Sequence, residues 1–281
     1  MTASRSDLPA TGGAPAASND GPYPKIDTSV PHPARRYDYW LGGKDNFAED
    51  RKSGDEIAVQ VPTIRLAVLE NRKFMRRVVA DLARKGFRRF LDIGTGIPTR
   101  PNLHEIAQAI APDSRVVYVD NDPLVMVHDR ALLTSSPEGA VAYIEADLRD
   151  PDAILADPVL RETLDFGGPV ALFLIAVLHF LTDEDVAQGC VARLAVALPP
   201  GSVVVVSHVD ESQASFNATA AVARHGPFRA RTRAEVEQLL AGLELLDPGV
   251  VSVVDWLPDQ DPAPTESAQD TAVYGVVARR P

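Results

Sequence analysis

Phe90-Leu91-Asp92-Ile93-Gly94-Thr95-Gly96 is a mainly apolar run that closes on a glycine-rich turn. An apolar run that ends in turn residues reads as a buried strand. Its two glycines let the backbone turn sharply and let a ligand approach the main chain closely. A strand that opens into such a turn is the first unit of an α/β sheet, so the flanking sequence should repeat strand and helix.

It does so from Phe87 onward. Strands are predicted at Arg88 to Ile93, Arg115 to Val119, Val141 to Glu145, Val170 to Ile175 and Ser202 to Ser207. The fourth is continuously apolar, as a strand covered on both faces should be. Between them lie helix starts. Asn102 with Glu105 three residues on forms a capping-box pattern. Asp122 precedes Pro123, which suits a first helical position. Thr182 with Asp185 and Thr232 with Glu235 repeat the capping pattern, the last in a helix ending near Gly242, and a polar helix is expected at about Glu211 to Arg224. Two final strands, about Val250 to Trp256 and Ala272 to Ala278, have only the proline-rich stretch Leu257 to Gln269 between them, which implies an antiparallel partner. The expectation is a largely parallel sheet with helices on both faces.

Upstream, Met1 to about Asp27 is rich in Pro, Ala, Gly, Ser and Asp and is expected to be a disordered tail. Pro31 to Gln60 carries Tyr37, Tyr39, Trp40 and Phe47 among charges, a density that suggests a segment packed on something. Val61 to Lys85 reads as a helix, with Leu66, Leu69, Phe74, Val78 and Leu82 at helical spacing and Gly86 as its stop.

The chain has 281 residues, 45% of them hydrophobic, enough for a sizeable core. Against 28 Lys and Arg stand 39 Asp and Glu, and the net charge of -11 argues against nucleic acid as a partner. The apolar run Val170 to Leu181 is too short for a bilayer, which needs ~20 residues. No secretory signal pattern is visible, and the single cysteine, Cys190, sits in an apolar helical pattern as a small buried hydrophobe. A cytoplasmic protein with no membrane partner is expected. The histidines show no metal spacing, so no metal is expected.

In an open α/β sheet, ligands bind outside the carboxyl ends of the strands. Those ends hold Asp92 with Gly94, Thr95 and Gly96, then Asp120-Asn121-Asp122, then Asp147-Leu148, then Ala176 to His179. A nicotinamide or flavin fingerprint would place a third glycine where Thr99 stands. A pyrophosphate at this turn would also avoid carboxylates. S-adenosyl-L-methionine carries an ammonium, a sulfonium and one carboxylate and no phosphate, so acidic strand ends suit it. Asp120 can accept the ribose hydroxyls, Asp147 and Leu148 can face the adenine, and Gly94 and Gly96 leave room for the methionine part. For Asp122 a helix cap is the better reading.

The runs Leu91 to Gly96, Tyr118 to Pro123 and Ala146 to Leu148 resemble the class I S-adenosylmethionine-dependent methyltransferases. More narrowly, Arg36-Tyr37-Asp38-Tyr39-Trp40-Leu41-Gly42-Gly43-Lys44-Asp45-Asn46-Phe47 resembles the opening signature of a bacterial S-adenosyl methyltransferase family long called a domain of unknown function. Gly94 to Thr99, Asn102 to Glu105, Arg231 to Arg233, Asp247 to Gly249 and Tyr274 to Arg279 fit it too, so the resemblance runs from about Asp27 to the C-terminus. It implies a three-layer Rossmann-like sandwich with a seven-stranded, mostly parallel sheet and an antiparallel last strand. It also implies a helical lid over residues 28–86 of one 28–281 domain, with Tyr39, Lys44 and Asn46 lining the cofactor site. Lys44, Asn71 or Arg72 would meet the methionine carboxylate.

The implied activity is methyl transfer to an unidentified small-molecule acceptor. Such an in-line displacement draws on positioning and needs a base only if the nucleophile carries a proton. His179 after the fourth strand is the first candidate base, ahead of His208 after the fifth. Two readings stand beside this one: a protein that binds S-adenosylmethionine or S-adenosylhomocysteine without transfer, and an NAD-dependent oxidoreductase.

Overall fold

The computed structural model describes residues 27–125, 134–212 and 216–281. The expected N-terminal tail, apart from Asp27, lies outside these residues, as does most of the helix expected after Asp122. Three helices come first: α1 (Pro33–Trp40), α2 (Ala48–Gln60) and α3 (Ile64–Arg84). The strands follow as β1 (Arg89–Ile93), β2 (Arg115–Asp120), β3 (Ala140–Glu145), β4 (Ala171–Ile175), β5 (Val203–Val209), β6 (Glu244–Leu245), β7 (Val251–Ser252) and β8 (Val273–Arg279). Helix α4 (Leu103–Ile110) links β1 to β2.

The sheet order is β3-β2-β1-β4-β5-β8-β6, with β7 also paired to β8. The first five strands are mutually parallel. β8 runs antiparallel to β5, β6 and β7. The mostly parallel sheet with an antiparallel last strand is therefore present, and β8 lies inside the sheet, between β5 and the two-residue β6. Strand order reverses between β1 and β4, and this switch point is where a ligand crevice forms.

Alternation along each strand covers both faces. Phe90, Val116, Tyr118, Phe173 and Val205 pack against Phe74, Val78 and Leu82 of α3 and Leu103 and Ala107 of α4. Leu91, Val117, Leu172 and Val204 pack on the other face, against helices that include Glu184–Ala197 and Arg233–Leu239. Cys190 is buried in that second layer.

Local chemistry explains the boundaries. The Asn102 N–H donates to Glu105 Oε2 at 2.7 Å, and Thr232 and Glu235 form the reciprocal capping box. The expected cap at Thr182 is replaced by Asp183, whose Oδ1 accepts from the Val186 N–H at 3.1 Å. The strand expected over Val250 to Trp256 stops at Ser252 and becomes a 3-10 turn, Val253–Asp255. The fully buried Arg77 takes the carbonyls of Val253, Trp256 and Pro262, which diverts that backbone from the sheet. Two short helices, Pro151–Ala156 and Pro158–Leu164, and the strand β6 were not anticipated from the sequence.

Candidate functional site

A cavity of about 710 Å³ lies at the switch point, above the carboxyl ends of β1, β2, β4 and β5. Its floor is the turn after β1. Gly94 has φ +75° and Gly96 φ +66°, a region that favours glycine. A Cβ on Gly94 would come within 2.6 Å of the Val177 side chain, so no larger residue fits there. The Gly94 N–H donates to Val119 O at 2.8 Å, tying the turn to β2.

Asp92, Thr95, Asp120, Asn121, Asp147, Leu148, Ala176 and Arg72 all line the cavity beside these glycines. Asp92 is buried, and desolvation raises its carboxyl to about 7 against the pull of Arg72. Arg72, near the middle of the roof helix α3, donates to the Thr99 and Pro101 carbonyls. Asp120 accepts the Gly96 N–H at 2.8 Å and the Asp122 N–H at 2.9 Å, while burial raises its carboxyl. Asp147 is held differently. Hydrogen bonds from the Arg149 side chain, joined by Asn121, keep its carboxyl well below the usual range.

The wall beyond the floor comes from β4 and β5. Ala176 sits at φ +54°, an unfavourable angle for alanine, held by bonds from its N–H to Ser207. The chain then makes a 3-10 turn, Leu178–Phe180, that presents His179 to the cavity. The His179 ring packs at 4.4 Å from Phe180, 5.1 Å from Phe228 and 5.6 Å from His208, centroid to centroid. Its Nδ1 is enclosed without a partner, and burial holds its basicity well below the ordinary imidazole value. His208 differs. Its Nδ1 faces Val209 O at 2.9 Å and its Nε2 accepts from Arg231 Nη1 at 2.9 Å. Burial lowers His208 to about 4. Arg231 also donates to the carbonyls of Leu178 and Leu181 and to Glu184 Oε2, so one buried guanidinium grips both ends of the turn that carries His179.

The roof is the N-terminal segment. Pro33, Ala34, Arg36, Tyr37, Trp40 and Leu41 line the cavity, one face of α1 at helical spacing. Three residues expected in the site lie elsewhere. Tyr39 is on another face, donating to Asp55 Oδ1 at 2.7 Å under the Arg65 guanidinium. Lys44 is exposed in the turn after α1. Asn46 is buried within the lid, donating to Asp38 Oδ2 at 2.8 Å and accepting from Arg51. Tyr37 takes the place given to Tyr39: its OH donates to Val68 O at 3.1 Å and accepts from Asn71 Nδ2 at 2.9 Å. Asp122 does more than cap. Besides accepting the Leu124 N–H, it is gripped through both oxygens by Arg35, at 3.0 and 3.1 Å. Arg35 and Asp122 are 87 residues apart, so no local pattern could announce their pairing.

Glycines and carboxylates facing a roofed crevice, with no phosphate-binding turn, define a site for a sulfonium methyl donor on a methyltransferase fold. The S-adenosyl methyltransferase family matches residues 19–281. A DUF574 family protein of Streptomyces avermitilis MA-4680, solved by crystallography, is 49% identical over 92% of this chain and 100% of its own, with a TM-score of 0.87. A crystal structure from Thermobifida fusca YX, described as that of a candidate methyltransferase, is 39% identical over 90% of this chain and 96% of its own, with a TM-score of 0.82. Comparison with curated protein sequences finds no match. The chain belongs to the S-adenosyl methyltransferase family, and it is an S-adenosyl-L-methionine-dependent methyltransferase. Among the described residues no helix is long and apolar enough to cross a membrane.

Proposed function

We propose that the chain methylates a small-molecule acceptor at an atom that carries a proton, with His179 as the general base. The observation that carries this reading is the free imidazole of His179 in the cavity wall, one turn beyond the strand that borders the methyl donor's floor. The residues fit the donor. Asp92 would take its ammonium, Gly94 and Gly96 would give room to the methionine chain, and Arg72 with Asn71 would face its carboxylate. Asp120 would accept the ribose hydroxyls, and Leu148 would lie against the adenine. Asp147, already engaged by Arg149 and Asn121, would offer the remaining polar edge with Asn121.

When bound, the donor supplies a methyl carbon activated by sulfonium for in-line attack. The chain's own residues do the rest. α1 and α3 exclude water above the site, and Arg231 fixes the turn that aims His179. With Nδ1 enclosed, the proton from the acceptor is taken at Nε2, in the Nδ1–H tautomer. The lowered basicity of His179 keeps it neutral and ready near pH 7. His208 has both ring nitrogens engaged and serves as a support. We read α1 to α3 as the lid of one catalytic domain that starts near Asp27, and place the reaction in the cytoplasm, where the single thiol of Cys190 stays reduced.

Turnover of labelled donor against a metabolite extract tests the activity and finds the acceptor. In that assay His179→Ala should bind donor as before and lose about 10²- to 10⁴-fold in kcat, the range for removal of a general base. Unchanged turnover would remove His179 from the mechanism. Tight donor binding with no transfer to any extract would point instead to a binding protein.

A further inference from the structure

Arg36 opens the aromatic signature and is not used by the donor site. Its residue is only 3% exposed, and it lines the cavity. Among the described residues no carboxylate lies within ion-pair distance of its guanidinium. Its contacts are two neutral oxygens, Ser53 Oγ at 3.3 Å and the His225 carbonyl at 3.2 Å, both made by Nη1, and its Nε is buried without a partner. Asp50 acts on it only through space, its two oxygens being taken by the backbone N–H groups of His32 and Phe47. A guanidinium has five donors and cannot shed its charge, so burial without a counter-charge is costly unless a ligand supplies one. Arg35, its neighbour, shows the contrast, being paired through Nε and Nη2 with the two oxygens of Asp122.

The surroundings narrow the ligand. The cavity's carboxylates, Asp92, Asp120 and Asp147, all belong to the donor half. The other half is walled by Trp40, Met75, Phe180, Val222 and Phe228, with no acidic residue among its described lining, so no carboxylate there would pair with an ammonium. The two ends of this half are linked by one short loop. The carbonyl of His225 holds Arg36, and Phe228, three residues on, packs against the His179 ring. The Cα atoms of His225 and Phe228 lie at most roughly 11 Å apart, so one short loop touches both the Arg36 end and the His179 end of this half.

We propose that the methyl acceptor is a largely apolar small molecule carrying a single carboxylate, held by Arg36, with its nucleophilic atom presented to His179. One guanidinium in an apolar wall matches a monoanion, and its planar fork matches a carboxylate. A phosphate would draw on several cations, and the other lining arginines belong to the donor half, Arg72 beside Asp92 and Arg149 paired with Asp147. This inference rests on the methyltransferase reading of the cavity.

The test is titration of the protein saturated with S-adenosylhomocysteine, by calorimetry, with benzoate, cinnamate and hexanoate and with their neutral amides. At least one acid should bind roughly tenfold or more tightly than its amide, the scale of one charge-assisted pair. Arg36→Met should abolish that difference and leave S-adenosylhomocysteine affinity unchanged. It should also keep or raise the melting temperature, since an unpaired charge is removed. Arg36→Gln, which keeps an amide donor without the charge, should behave like Arg36→Met. Acids that bind no better than amides, or a preference that survives both variants, would overturn the proposal. So would a loss of S-adenosylhomocysteine affinity in the variants, because Arg36 would then serve the donor's carboxylate. Failure of the unaltered protein to bind S-adenosylhomocysteine, seen before any acid is added, would strike the underlying reading and not this one.

Discussion

Asp92 is a carboxyl that burial in the cavity floor keeps partly protonated, because desolvation outweighs the help of Arg72. A group raised to about 7 is largely uncharged below that pH and must lose its proton to hold an ammonium. Donor affinity should therefore fall as pH drops from 8 to 6, and binding should release a proton in that window. Calorimetry in buffers of different ionisation enthalpy measures the proton. The same shift works against folding, since the unfolded carboxyl ionises near its ordinary value of about 3.9. Asp92→Asn should thus raise the melting temperature at pH 8 while weakening donor binding. A variant with lower stability and unchanged donor affinity would show that Asp92 holds the turn and not the ligand. Asp92 and Asp120 were legible in the sequence because a strand end and its glycines are local signals. Arg36 was not, since its meaning lies in the partners it lacks.

Helix α1 shows where sequence reasoning stops at the scale of an element. Its aromatic density announces that it packs, but eight residues do not disclose which face turns inward. Tyr37 and Tyr39 are chemically alike and two positions apart, about 200° around the helix, so packing alone puts one in the roof and the other outside. The clasp that sets this rotation is Arg35 with Asp122, with His32 Nδ1 also 3.1 Å from the same carboxylate. Both Arg35 and Asp122 side chains are almost fully buried. Removing one partner of such a pair leaves the other charge stranded, typically at a cost of about 3–5 kcal/mol. Asp122→Asn or Arg35→Met alone should lower stability by that order in denaturant titrations. The double variant should recover part of the loss and still release donor faster, because α1 is no longer held down. Single variants as stable as the parent would show that the clasp contributes nothing.

At the scale of the whole molecule, the parallel sheet and the switch point were readable from alternating apolar runs and capping residues. The far edge was readable only in part. β6 and β7 have two residues each, too few to carry a period, and β7 stops where Arg77 takes the Val253 carbonyl. That arginine has a second consequence. It bolts the middle of α3 to the C-terminal segment through three carbonyls, so the α3 side of the roof is anchored in the core. The α1 side is held by one clasp and by polar contacts to α2 and to the 225–228 loop. A roof fixed along one side should open along the other, so release of spent donor should require α1 to move. Turnover should then slow in proportion to solvent viscosity, with donor deuterated at the methyl group giving no isotope effect on kcat. A full isotope effect with no viscosity dependence would place the slow step in the chemistry. On the hinged view, the speed of this enzyme is set at its doorway, by how often the contacts that hold α1 let go.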